Sequence, residues 1–164
     1  YKRMQQEKAR AEVMKEGVAF VLCDSAAALP YYKVYSDSEN EDLIGYIFTA
    51  YGKGYSSTIS TVTGIDADYQ LVGIKVTFQQ ETPGLGAKCE EIRYGEDSPW
   101  FQRQYFMKQR LHDGNDPIDA LTIAVDKDGG VIHSITGATI TGRVISNSIK
   151  AAANTLKDKV EAGK

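Results

Sequence analysis

The chain has 164 residues, 42% hydrophobic and 25% charged, the proportions of an ordinary globular protein and enough for one domain with a real core. A formal net charge of -3, a pI near 5.4 and no basic stripe exclude a general nucleic-acid binder, whose phosphate contacts need a basic surface. Two cysteines without a CxxC pair, Cys23 and Cys89, and two histidines, His112 and His133, fall short of a tetrahedral N/S metal set at short spacing.

Residues 2–16, KRMQQEKARAEVMKE, are strong helix formers of mixed charge closed by Gly17, which predicts a solvated helix. No run of 18 apolar residues occurs, so no segment reads as a membrane span. The start at Tyr1, close to Lys2, Arg3, Lys8 and Arg10, suits a membrane anchor removed upstream and equally an arbitrary cut. Residues 18–23 read as a short strand and 24–30 as a loop. The two thiols are expected to be free and buried rather than joined.

Residues 31–35, 43–50, 58–64 and 71–78 are short runs rich in Ile, Val, Tyr and Thr, separated by polar or glycine-bearing turns. That pattern predicts antiparallel strands in hairpins, with Asp66-Ala67-Asp68 as one turn. Alternation assigns Val72, Ile74, Val76 and Phe78 to one strand face. Further on, Trp100, Phe101, Tyr105 and Phe106 suggest a short amphipathic helix whose aromatics cover the sheet. Residues 119–125 and 131–135 read as a last hairpin turned at Gly129-Gly130. From 142 to 161, Ile145, Ile149, Ala152, Leu156 and Val160 form one helical face. The predicted class is α+β, an antiparallel-rich sheet with helices at the N- and C-terminal ends.

Two stretches ask for a ligand. Residues 134–143 read SITGATITGR, crowding hydroxyls and glycines just before a helix whose unpaired N-H groups attract an anion. Thr136, Thr139 and Thr141 offer hydroxyls there, while Gly137 and Ala138 permit close approach to the backbone. A plainer alternative makes Thr141 the N-cap of the helix. Residues 81–88 read ETPGLGAK, in which Pro83-Gly84 fits a type II turn. Leu85 between two glycines then offers either a plug or a surface for a flat ring. The stretch is neither a Walker loop nor a GxGxxG fingerprint.

ETPGLG followed by TGATIT resembles the FMN-binding domain of the RnfG and NqrC subunits of bacterial ion-pumping electron-transfer complexes, a likeness running from about residue 54 to 156. The resemblance implies FMN joined by a phosphoester to the last threonine of the motif, here Thr141, by a separate flavin transferase that uses FAD. Thr139, Gly137 and Ala138 take the other motif positions, and Thr136 stands among the cofactor-binding hydroxyls. Glu81, Thr82, Leu85 and Gly86 are expected along the isoalloxazine ring, Lys88 supplies positive charge, and Arg143 helps hold the phosphate. The short span between the motifs favours RnfG over NqrC. Gly142 stands where the family often has serine, and residues 90–116 match no pattern.

The function so implied is an electron carrier in a membrane complex that couples electron flow to sodium or proton movement, with little turnover as an isolated domain. Residues 1–17 are then a juxtamembrane helix and residues 18–164 the FMN-binding domain. The domain is expected outside the cytoplasm, tethered by an anchor that is not in this chain. Expected partners are the other subunits and the transferase. Two alternatives stand: an NqrC-like or other flavinylated extracytoplasmic carrier, and a flavin-free binding or scaffolding module.

Overall fold

The computed structural model describes residues 2–23 and 29–163; the expected loop at 24–30 lies outside them save for its last two residues. Strands β1 (Ala19–Cys23), β2 (Tyr31–Tyr35), β3 (Leu43–Lys53), β4 (Thr58–Asp66) and β5 (Leu71–Phe78) form one antiparallel sheet in chain order. Each strand pairs with its sequence neighbour, the outcome that short polar connections favour. The β4–β5 turn is organised by Asp66, whose Oδ1 accepts from the Asp68 and Gln70 amides, 2.9 Å each.

Helices lie on both faces of the sheet, so the predicted α+β class holds. The larger core gathers Phe48, Ile59, Ile65, Leu71, Ile74 and Val76 from the sheet. Against them pack Phe101, Tyr105 and the C-terminal helix α4 (Thr139–Ala162). That helix starts three residues earlier than expected. Its buried apolar stripe is Ile145, Ile149, Ala153 and Leu156, with Ala152 and Val160 partly covered.

The first helix, α1 (Lys2–Val13), ends well before Gly17 and is not simply solvated. Ala9, Val13 and Met14 are buried against Val34, Ile47 and Val62 on the second face of the sheet. Strong helix-forming residues and mixed charge hid this narrow apolar seam.

Strand β5 departs from strict alternation. Gly64 pairs with Gly73 while Ile65 pairs with Leu71, and Ser60 pairs with Phe78 while Thr61 pairs with Val76, so Val72 and Thr77 are bulged. The first bulge places Leu71 with Ile74 and Val76, while Val72 packs toward the α1 cluster. Phe78, beyond the second bulge, is exposed. The expected single face of Val72, Ile74, Val76 and Phe78 is therefore split.

The aromatic segment forms two short helices, α2 (Trp100–Arg103) and α3 (Met107–His112), with Tyr105 between them. Tyr105 is fully buried, and its hydroxyl meets Ser146 Oγ of α4 at 2.8 Å. Gln102 splints the sheet edge: its Oε1 accepts from the Val76 amide at 3.0 Å, and its Nε2 donates to the Cys89 carbonyl at 2.9 Å. Cys89 is a buried free thiol pushed by desolvation to a pKa of about 12, whereas Cys23 is half-buried.

The expected last hairpin is not formed. Its two segments contribute isolated bridges at Asp119 and between Val125 and Ile132, around a 3-10 turn at Asp126–Asp128 closed by Gly129 at φ +89°. Their β-prone residues serve the core as loop instead: Ile123, Val125, Ile132 and Ile135 are buried.

Ile149, with 0% exposure, sits where α4 meets the sheet. Ile149→Ala should lower unfolding free energy by about 2–5 kcal/mol in urea denaturation, with the slope of the transition unchanged.

Candidate functional site

The chain leaves β5 through Gln79 and Gln80 and reaches Glu81, which is 4% exposed. The next four residues make the predicted type II turn: Gly84 has φ +78° and the Leu85 amide donates to the Thr82 carbonyl at 3.0 Å. A 3-10 helix follows at Gly86–Glu90. Gly86 admits no larger residue without movement, because a Cβ there would collide with the Thr141 hydroxyl and stand 2.7 Å from Glu81 Cβ.

Helix α4 approaches from the other side. Its N-cap is Ala138, with no side-chain cap, so Thr141 is the third helical residue and not the cap. Its hydroxyl, buried at 1% exposure, instead donates to Glu81 Oε1 at 3.0 Å across 60 residues of sequence. The N-cap alternative failed because Thr-Ile-Thr are weak helix formers that the helix nevertheless absorbs.

Five donors converge on the Glu81 carboxylate. Besides Thr141 they are the Tyr55 amide at 2.8 Å, the Ser56 amide and hydroxyl at 3.1 Å each, and the Ser57 hydroxyl at 2.6 Å. Burial alone would raise the pKa; the hydrogen bonds from Ser57, Tyr55, Ser56 and Thr141 outweigh it and hold the group at about 2.

Above this pair lies a cavity of about 550 Å³. Of the residues singled out in the sequence, Glu81, Thr82, Leu85, Gly86, Gly137, Ala138, Thr139 and Thr141 all line it. Gly137 stands against Leu85, where a Cβ would lie 3.4 Å from the leucine Cδ2. Thr136 and Lys88 do not line it: Thr136 is exposed, and Lys88 belongs to the 3-10 helix. Arg143 is paired with Asp128, Nε to Oδ2 at 2.7 Å and Nη2 to Oδ1 at 3.1 Å.

Sequence reading missed three lining residues, Tyr55, Lys127 and Ile140. Lys127 donates from Nζ to Thr139 Oγ1 at 3.1 Å. It sits in an Asp-Lys-Asp turn that gives no hint of a ligand; the fold alone brings it over the cavity. Ile140 lay inside the motif and could have been found by its place between two threonines.

A roomy cleft with an apolar rim and an internally satisfied polar floor is the architecture of a cofactor-carrying α+β domain. Residues 54–154 match the model of the FMN-binding domain family, and the chain belongs to that family; its cofactor is FMN. The RnfG-type subunit of the ion-translocating oxidoreductase complex of Pectobacterium atrosepticum is 41% identical over 101 residues, covering 61% of this chain and 43% of that protein. Its counterpart in Pasteurella multocida is 35% identical over 124 residues, covering 75% of this chain and 56% of that protein. The chain thus spans about half the length of these relatives. The crystal structure of Shewanella oneidensis NqrC shares the fold, with a TM-score of 0.51 at 22% identity, covering 79% of this chain and 61% of that one.

Because the Glu81 pKa is lowered on folding from 4.5 to about 2, its contribution to stability is complete above pH 4.5 and lost as pH falls toward 2. The urea midpoint should fall across that window. In Glu81→Gln the fall across the same window should be shallower, the other carboxylates still titrating.

Proposed function

We propose that this chain is the flavin-carrying electron-transfer domain of an RnfG-type subunit in a membrane ion-translocating oxidoreductase complex, with FMN esterified to Thr141. One observation carries the reading: two stretches separated by some 60 positions, ETPGLG and TGATIT, meet at a single cavity whose floor holds the Thr141 hydroxyl. The 550 Å³ volume lies within the range of cofactor pockets. The Gly86 backbone pressed against Thr141 leaves the space that a side chain would fill.

Each wall suits a part of FMN. Exposed Tyr55, Leu85 and Ile140 give the rim apolar surface for the ring system. The first amides of α4, uncapped by any side chain, favour the phosphate, and Lys127 adds a cation over the same cavity. The expected help from Arg143 is reduced by its pairing with Asp128. Bound FMN supplies electron-transfer chemistry, while the residues around it set orientation and local charge.

The proposed partners are the other subunits of the complex and a flavin transferase, and the proposed location is the extracytoplasmic side of the membrane. Among the described residues no helix is long and apolar enough to cross a membrane, so attachment in this reading lies outside them. Sequence similarity to the RnfG-type subunits favours that assignment over an NqrC-like role. The flavin-free scaffold lost its main support when Thr141 proved not to be a cap.

Co-expression with a bacterial flavin transferase should give an intact mass raised by one esterified FMN. Thr141→Ala should abolish the increment, whereas Thr139→Ala should keep it. An unmodified wild-type mass would overturn the covalent assignment.

A further inference from the structure

We infer that Glu81 is a catalytic base that this chain itself contributes to the esterification of Thr141, an inference that rests on the function proposed above. The hydroxyl to be esterified is 1% exposed, so bulk water is poorly placed to take its proton. Its hydrogen-bond acceptor is Glu81 Oε1 at 3.0 Å, which directs the proton inward and leaves the oxygen lone pairs for the cavity side. The Gly86 backbone presses on the same hydroxyl, restricting the rotamer that would turn it away from Glu81.

In the esterification, Thr141 Oγ1 forms a bond to the flavin-side phosphorus of flavin adenine dinucleotide. The bridging P–O bond to adenylate breaks, and AMP leaves with the bonding pair. The hydroxyl proton passes to Glu81 Oε1 and on to water, and nothing is oxidised or reduced.

A carboxylate held at a pKa of about 2 is a weak base, which argues for a late, partial proton transfer. Phosphoryl transfer tolerates this: its loose transition state depends chiefly on positioning, and protein kinases likewise use an aspartate to accept the substrate hydroxyl proton. The low pKa has a compensating effect, since Glu81 stays ionised, and so able to accept, at every working pH. The donors from residues 55–57 hold the carboxylate in place while leaving Oε1 in contact with Thr141.

The test treats the whole chain as substrate of a purified flavin transferase with flavin adenine dinucleotide, following intact mass and AMP release. Wild type should load. Glu81→Gln should lower kcat for loading by about 100-fold with KM for the chain within about threefold, a split that a merely disordered site would not give. Loading of Glu81→Gln at the wild-type kcat, or a loss expressed wholly in KM, overturns the inference and leaves the proposed function standing. Ser57→Ala separates base from brace: it removes a donor to Oε2 at 2.6 Å without touching Thr141. A base predicts loading equal to or faster than wild type in that variant, because a less stabilised carboxylate is more basic. A tenfold fall would make Glu81 a brace. Failure of the wild type to load removes the proposed function itself, a different result from either.

Discussion

A buried carboxylate must be surrounded by donors or it will not stay ionised, and Glu81 imposes that condition on three separate parts of the chain. The connection between β3 and β4 supplies the Tyr55 and Ser56 amides and the Ser56 and Ser57 hydroxyls; α4 supplies Thr141. Gly54 must be small as well, since a Cβ there would stand 2.6 Å from Glu81 Oε1. Removing any one donor leaves the rest of a low-dielectric network less than satisfied, and such losses exceed the worth of a single exposed hydrogen bond. The site is thus specified by one charge rather than by a collection of independent contacts.

The remaining fold keeps these parts in register. The antiparallel meander brings the β3–β4 connection beside the end of β5, and the bulge at Thr77 redirects that strand just before Glu81. Gln102 holds the following segment by bonding both the Val76 amide and the Cys89 carbonyl. Tyr105 fixes the α2–α3 linker to α4 through Ser146. These are buried, satisfied polar contacts at the back of the core, and they limit how far Glu81 and Thr141 can drift apart.

Much of this was legible beforehand, for identifiable reasons. The strands announced themselves by β-branched and aromatic residues between turn signals, and the Pro-Gly turn by the positive φ that glycine accepts. Residues at 119–135 misled because β propensity reports how well a side chain fits a half-buried surface, and a core-lining loop uses the same residues. The bulges at Val72 and Thr77 leave no mark in an alternating sequence, since one extra residue keeps the pattern and changes only which face it occupies. Neither the Glu81–Thr141 contact nor the place of Lys127 could be read, because both arise from the closure of the whole fold.

The crowding of hydroxyls in SITGATIT resolves into distinct duties once the helix begins at Thr139. Ser134 Oγ donates to Asp126 Oδ1 at 3.0 Å, and Thr139 accepts from Lys127. Thr141, two residues on and so about 200° further round the helix, points to the opposite side, toward Glu81. Thr136 stays exposed, ahead of the helix. The three threonines are therefore not interchangeable as nucleophiles. Thr136 lies outside the cavity, and the Thr139 oxygen is already engaged by a cation that withdraws electron density. Of the three, Thr141 is the one whose hydroxyl donates to a carboxylate, which raises the electron density on its oxygen and fixes its direction before any ligand arrives.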